Sequence, residues 1–97
     1  MTRQIRKSAL AESDLIGIWE YTIEQWDAAQ ADKYLDELDY GIKQLADSPE
    51  MGEKRDYVRE GYRVLLINNH AVYYTVTPST IRIIRVLHGQ MDPGRHL

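Results

Sequence analysis

The sequence predicts an α+β fold: an antiparallel helix hairpin packed on a small, mainly antiparallel sheet, in the order β-α-α-β-β-β. Three observations predict it. Residues 9–47 carry apolar side chains at helical spacing, with one interruption at Asp27. Residues 62–87 fall into three short runs rich in Val, Ile and Tyr, separated by Asn68-Asn69 and Pro78-Ser79. A chain of 97 residues without cysteine makes one domain and holds neither a disulfide nor a thiolate metal site.

Arg3–Lys7 reads as a short first strand in which Ile5 is the only apolar residue. Ser8 is placed to cap the helix that follows, because its hydroxyl can accept from a free amide of the first turn. That helix runs from about Ala9 to Gln25. Ile16, Trp19, Ile23 and Trp26 define its expected core stripe, which Leu15, Ile18 and Thr22 widen. Trp19 is expected in the core, whereas Trp26, at the helix end, is open to an interface role. Asp27 caps a second helix, Ala28 to about Asp47, with a stripe of Ala31, Tyr34, Leu35, Leu38, Ile42 and Leu45. Gly41 inside it points to a close approach by the first helix, and Ser48-Pro49 ends it.

Residues 50–60 are polar and read as a loop with a short extended piece at Asp56–Arg59. Three strands are then expected, Tyr62–Ile67, His70–Thr77 and Ile81–Leu87, joined as an antiparallel meander. Asn68-Asn69 marks a tight hairpin, since Asn tolerates positive φ. The strands are nearly continuously apolar, so both faces of the sheet should be at least partly covered, one of them by the helices. Tyr73 and Tyr74 should point to opposite faces, one into the core and the other toward a partner.

The net charge of −3 hides a segregation. Residues 12–47 hold ten acidic side chains and two lysines, while the rest of the chain holds ten basic and five acidic ones. A basic sheet beside an acidic hairpin attracts an acidic partner or nucleic acid; alternatively, acids simply suit helix surfaces. Direct nucleic-acid binding is not expected, because the pI is about 5.5 and neither helix is basic. No apolar run approaches the ~20 residues of a membrane span, and MTRQIRKSALAESD lacks the apolar core of a signal peptide, so a cytoplasmic protein is expected.

The last stretch, IRIIRVLHGQMDPGRHL, goes from a core strand to a polar tail. Arg85, between Ile84 and Val86, needs a partner if buried: a helix acid such as Glu20 or Glu24, or the carboxylate of another protein. Its expected parity is with Ile81, Ile83 and Leu87, and that of Arg82 is with Ile84, Val86 and His88. His88 reads either as a base near neutral pH or as a strand-end histidine bonded to Asp92 or a carbonyl. No His or carboxylate cluster has metal-ligand spacing, so neither metal nor cofactor is expected.

Five segments, DLIGIWEYTIEQW (14–26), QADKYLDEL (30–38), LADSPEMGEKR (45–55), GYRVLLINNHAVYYTV (61–76) and IRIIRVLHGQMDP (81–93), carry a resemblance that runs nearly end to end. The chain resembles the ParE toxins of the bacterial RelE/ParE toxin–antitoxin superfamily. The resemblance implies a non-enzymatic toxin that poisons DNA gyrase when free and is neutralised in a hetero-oligomer by a cognate ParD-like antitoxin. It makes His88, Met91, Asp92, Arg95 and His96 the expected target contacts. An antitoxin wrapping the hairpin and sheet would meet Trp26, Tyr34, Arg63, Tyr74, Arg82 and Arg85.

RelE-like relatives instead cut mRNA on the ribosome, with cations and acid–base groups on the sheet. Arg63, Arg82, Arg85 and His88 supply a partial set here, with His88, Arg63 and Arg85 the catalytic candidates: cations and one base, without an evident acid or any lysine in the three strands of residues 62–87.

Overall fold

Ser8 and Asp27 do what their positions predict. In the computed structural model, which describes residues 2–89, 91 and 93–97, the Ser8 hydroxyl accepts from the Ala11 amide at 3.0 Å and donates to the Ile84 carbonyl at 2.7 Å. It thereby starts helix α1 (Ala9–Gln25) and ties it to the sheet. Asp27 accepts from the Gln30 amide at 2.7 Å and starts α2 (Ala28–Gln44). The expected last turn of α2, up to Asp47, is instead tightened: the amides of Leu45, Ala46 and Asp47 bond carbonyls three residues back.

The sheet has five strands in the order β1-β5-β4-β3-β2. They are β1 (Gln4–Lys7), β2 (Glu53–Lys54), β3 (Arg63–Ile67), β4 (His70–Val76) and β5 (Thr80–His88). β1 lies parallel to β5, and the other pairings are antiparallel. Asn68 turns the β3–β4 hairpin at φ 53°. A four-residue helix, α3 (Pro93–His96), follows β5.

β2 replaces the extended piece expected at Asp56–Arg59, which forms the hairpin turn between β2 and β3. There Asp56 accepts from the Gly61 amide at 2.9 Å, and Gly61 takes φ 84°. Gly41 approaches the sheet, where α1 was expected: a Cβ there would lie 2.5 Å from Ile67 Cδ1 of β3.

The sheet is covered on the helix face and partly covered on the far face. On the helix side Ile42 and Leu45 pack with Val72, Tyr74, Ile81, Ile83 and Val86. On the far side Tyr62, Val64, Ala71, Tyr73 and Leu87 form a second cluster, with Ile84 and Leu97 against it. Tyr73 and Tyr74 do point to opposite faces, and both are core.

The buried stripe of α2 is the expected one, with Ala31, Leu38 and Ile42 fully covered. That of α1 is rotated from the expectation. Ala11 and Thr22 are its buried residues, and Leu15 and Ile18 pack on the core, while Ile16 is 59% exposed and Trp26 74%. Trp19 is also outside the core, 39% exposed, with its indole N–H donating to Asp32 at 3.1 Å. Capping by Ser8 sets this rotation, because it ties the first turn to Ile84 and so brings the Ala11–Leu15–Ile18–Thr22 face over the sheet.

A β-bulge overturns the expected parity of β5. Tyr73 pairs with Arg85 but Tyr74 with Ile83, so Ile84 is an extra residue. Val86 therefore joins Ile81 and Ile83 on the helix side, and Arg85 and Leu87 pass to the far face, beside Tyr73.

Candidate functional site

The rotation of α1 leaves apolar surface that none of the described residues covers. It forms one wall of a groove of about 650 Å³ that also takes in the start of α2, the β3–β4 turn and the end of β5. Ile18, Tyr21 and Trp26 line it from α1 and its end, Tyr34 from α2, Val86 and His88 from β5, and Met91 from beyond the strand. Tyr21 is 63% exposed and Trp26 74%. Large aromatic and Met side chains half out of water in a concavity suit a helical or extended partner.

The polar end of the groove is a row of three rings. The Tyr34 hydroxyl and His70 Nδ1 are 2.6 Å apart, and the Asn69 amide donates to the Tyr34 oxygen at 3.3 Å. His70 and His88 are register partners across β4 and β5, their rings edge to face at 5.5 Å. Burial, and then the nearby His88, pushes the His70 pKa down, so His70 is neutral near pH 7 and accepts from Tyr34. Burial likewise pushes the Tyr34 phenol up, which keeps it a donor.

Arg85 has its helix acid, and it is Asp14, in place of Glu20 or Glu24. The guanidinium fork donates to both Asp14 oxygens at 2.8 Å, and its third nitrogen donates to the His96 carbonyl at 3.0 Å. Asp14 also accepts from the Val86 amide at 2.9 Å. As an anchor for another protein's carboxylate, Arg85 is thus already engaged within the chain.

The carboxyl-terminal end is packed. The Gly89 amide donates to the Asn69 carbonyl and that of Met91 to the His88 carbonyl, while Leu97 closes α3 on the Pro93 carbonyl. Leu97 lies on the far-side cluster, Arg95 is exposed and His96 half-buried. Asp92, expected at this end, lies outside the described residues.

Of the other expected contacts, Tyr74 is corrected outright. It is 0% exposed, and its hydroxyl donates to the Pro49 carbonyl at 2.6 Å and accepts from the Gly52 amide at 2.9 Å. The short turn at Pro49–Met51 closes over it, so no partner reaches it. Arg63 donates to the Gly52 carbonyl at 2.7 Å, away from the groove. Arg82 is exposed on the far face beside its register partner Arg6.

The ribonuclease set does not converge. Arg63 pairs with Tyr74 and His88 with His70, which places them ~13 Å apart along β4. Among the described residues no group of three His, Asp or Glu side chains gathers as a metal site, and no helix is long and apolar enough to cross a membrane. Sequence reasoning missed Tyr21, His70 and Asp14. Folding the meander about Pro78-Ser79 sets 70 opposite 87, and the bulge at Ile84 moves it to 88, so local sequence carried no signal for the pairing of the two histidines.

Comparison with known proteins agrees with this architecture. The family model for the ParE toxin of the type II toxin–antitoxin system, parDE, matches residues 5–93. The chain is 39% identical over 98 residues to Toxin ParE1 of Mycobacterium tuberculosis, covering 100% of each. Its fold is similar to a chain of the chromosomal ParDE system from P. aeruginosa, with TM-score 0.79 and 19% identity over 90% of this chain and 96% of that one. It is also similar to a chain of the RelBE2 toxin–antitoxin complex of M. tuberculosis, with TM-score 0.62 and 16% identity over 91% of this chain and 99% of that one. The chain belongs to the ParE family, the toxins of type II toxin–antitoxin systems.

Proposed function

We propose that this toxin acts in the cytoplasm by binding DNA gyrase, with no bond broken in its own site, and that a cognate ParD-like antitoxin holds it inactive in a hetero-oligomer. The observation that carries the reading is the open apolar groove beside a packed carboxyl-terminal end. Tyr21, Trp26 and Met91 offer anchors for an apolar helix of the antitoxin, and Tyr34 and His88 offer polar contacts at its end. An extended antitoxin segment then crosses the sheet toward Arg82 and Arg63, so that ordering of the segment accompanies binding. His88, Met91, Arg95 and His96 remain the contacts proposed for gyrase, together with Asp92. The scatter of Arg63, Arg85 and His88 argues against a RelE-like cleavage site.

A supercoiling assay tests the proposal. Purified toxin in molar excess should inhibit gyrase, and an equimolar ParD-like antitoxin should restore activity. Expression of the toxin alone should give filamentous cells. Unaffected supercoiling by folded toxin overturns the reading, and mRNA cleavage in a translation extract would replace it with the RelE one.

A further inference from the structure

β1 pairs with β5 only from Thr80 to Ile83. Beyond that point, among the described residues, the outer edge of β5 has no strand beside it, and α1 takes its place: the Asp14 carboxylate accepts from the Val86 amide. The bulge at Ile84 then turns Arg85 so that its fork closes on the same carboxylate while its remaining nitrogen holds the His96 carbonyl at the end of α3. Bulges commonly re-aim one side chain in this way. The two side chains are 16% and 14% exposed, and a short helix end with free carbonyls is where a cation binds well.

We infer that Asp14 and Arg85 are positioning residues that hold the carboxyl-terminal end in the shape its target requires. The inference rests on the proposal that this end meets gyrase. Asp14 makes both ends of the arrangement depend on each other: it fixes the edge of β5, which carries His88, and it orients the guanidinium that holds α3. Only a planar fork can make all three bonds at once. A lysine at 85 keeps the charge and one bond to Asp14 and cannot also hold His96.

The test compares Arg85→Lys, Arg85→Gln and the charge exchange Asp14→Arg with Arg85→Asp. Asp14 and His88 line the groove and Arg85 does not. Asp14 still holds the Val86 amide when only Arg85 is changed, so the Arg85 variants separate antitoxin binding from gyrase inhibition. Arg85→Lys, the variant chosen to keep the fold, should speed amide exchange at Leu97 about tenfold and weaken gyrase inhibition about tenfold, while antitoxin affinity stays within about threefold. Arg85→Gln should do the same more severely, and the exchange should restore part of both. Unchanged exchange at Leu97 in folded Arg85→Lys overturns the inference, as does a parallel fall in antitoxin affinity. If wild-type toxin leaves gyrase untouched, the functional proposal fails, and the exchange rate at Leu97 still decides whether the pair holds this end.

Discussion

α1 and α2 are both 17 residues long and lie side by side, yet they use their apolar residues differently. α2 is the more polar helix and buries Leu38 and Ile42 completely, and Tyr40 is its one large apolar residue left in water. α1 is the more apolar helix and leaves Leu10, Ile16, Trp19 and Tyr21 substantially exposed. One helix resting on a sheet can bury only one stripe. The apolar residues of α1 beyond that stripe therefore do no work in the monomer's core, and part of them forms the groove. Apolar content in excess of what the fold can bury marks the partner surface here, whereas economy of apolar content marks the structural helix.

Substitutions should separate the two helices. The largest effect is expected at Leu38→Ala, which should cost about 2–5 kcal/mol in denaturant unfolding, because it opens a cavity in the helix-side core. Tyr74→Phe should cost about 1–3 kcal/mol, since it removes the hydroxyl that accepts from the Gly52 amide and releases the Pro49 carbonyl. Acidification should act through His70 at the groove. Its pKa in the fold lies below the ordinary 6.5, so the unfolded chain takes up the proton first as pH falls. Stability is then full above about pH 6.5 and declines as pH drops toward the folded value; thermal melts at pH 8 and 5 should show this loss, and His70→Gln should reduce it. Smallest for stability is Trp26→Ala, expected within about 0.5 kcal/mol of wild type. The same change should weaken antitoxin binding about tenfold or more. A large loss of stability there would erase the contrast between the helices.

The parts of the fold legible in the sequence were those fixed by local chemistry. Ser8 and Asp27 sit where a cap is needed, and Asn68 where a positive φ is needed. β2 was not legible, because two residues become a strand only when the 55–62 turn returns β3 beside them. Nor was the bulge at Ile84, since periodicity in IRIIRVLH counts one residue per pleat. That single extra residue misassigned the facing of Arg85, which shares the far face with Arg82 instead of opposing it. Among the site residues, Trp26 and Tyr34 were legible from composition at a helix end and in a stripe. Tyr74 was misread because the cover over it comes from Pro49–Gly52, a loop whose position depends on the tertiary fold. Asp14 was missed because its partner is 71 residues away in sequence.

The central claim is that the surplus apolar face of α1 is the antitoxin's seat. Tryptophan emission tests it most directly. With Trp19→Phe as background, Trp26 is the only tryptophan, and at 74% exposure it should emit as a solvated indole in the free toxin. Titration with a ParD-like antitoxin should shift that emission to shorter wavelength and saturate at the stoichiometry of the complex. Saturable binding with the emission unmoved would place the antitoxin elsewhere and contradict the account.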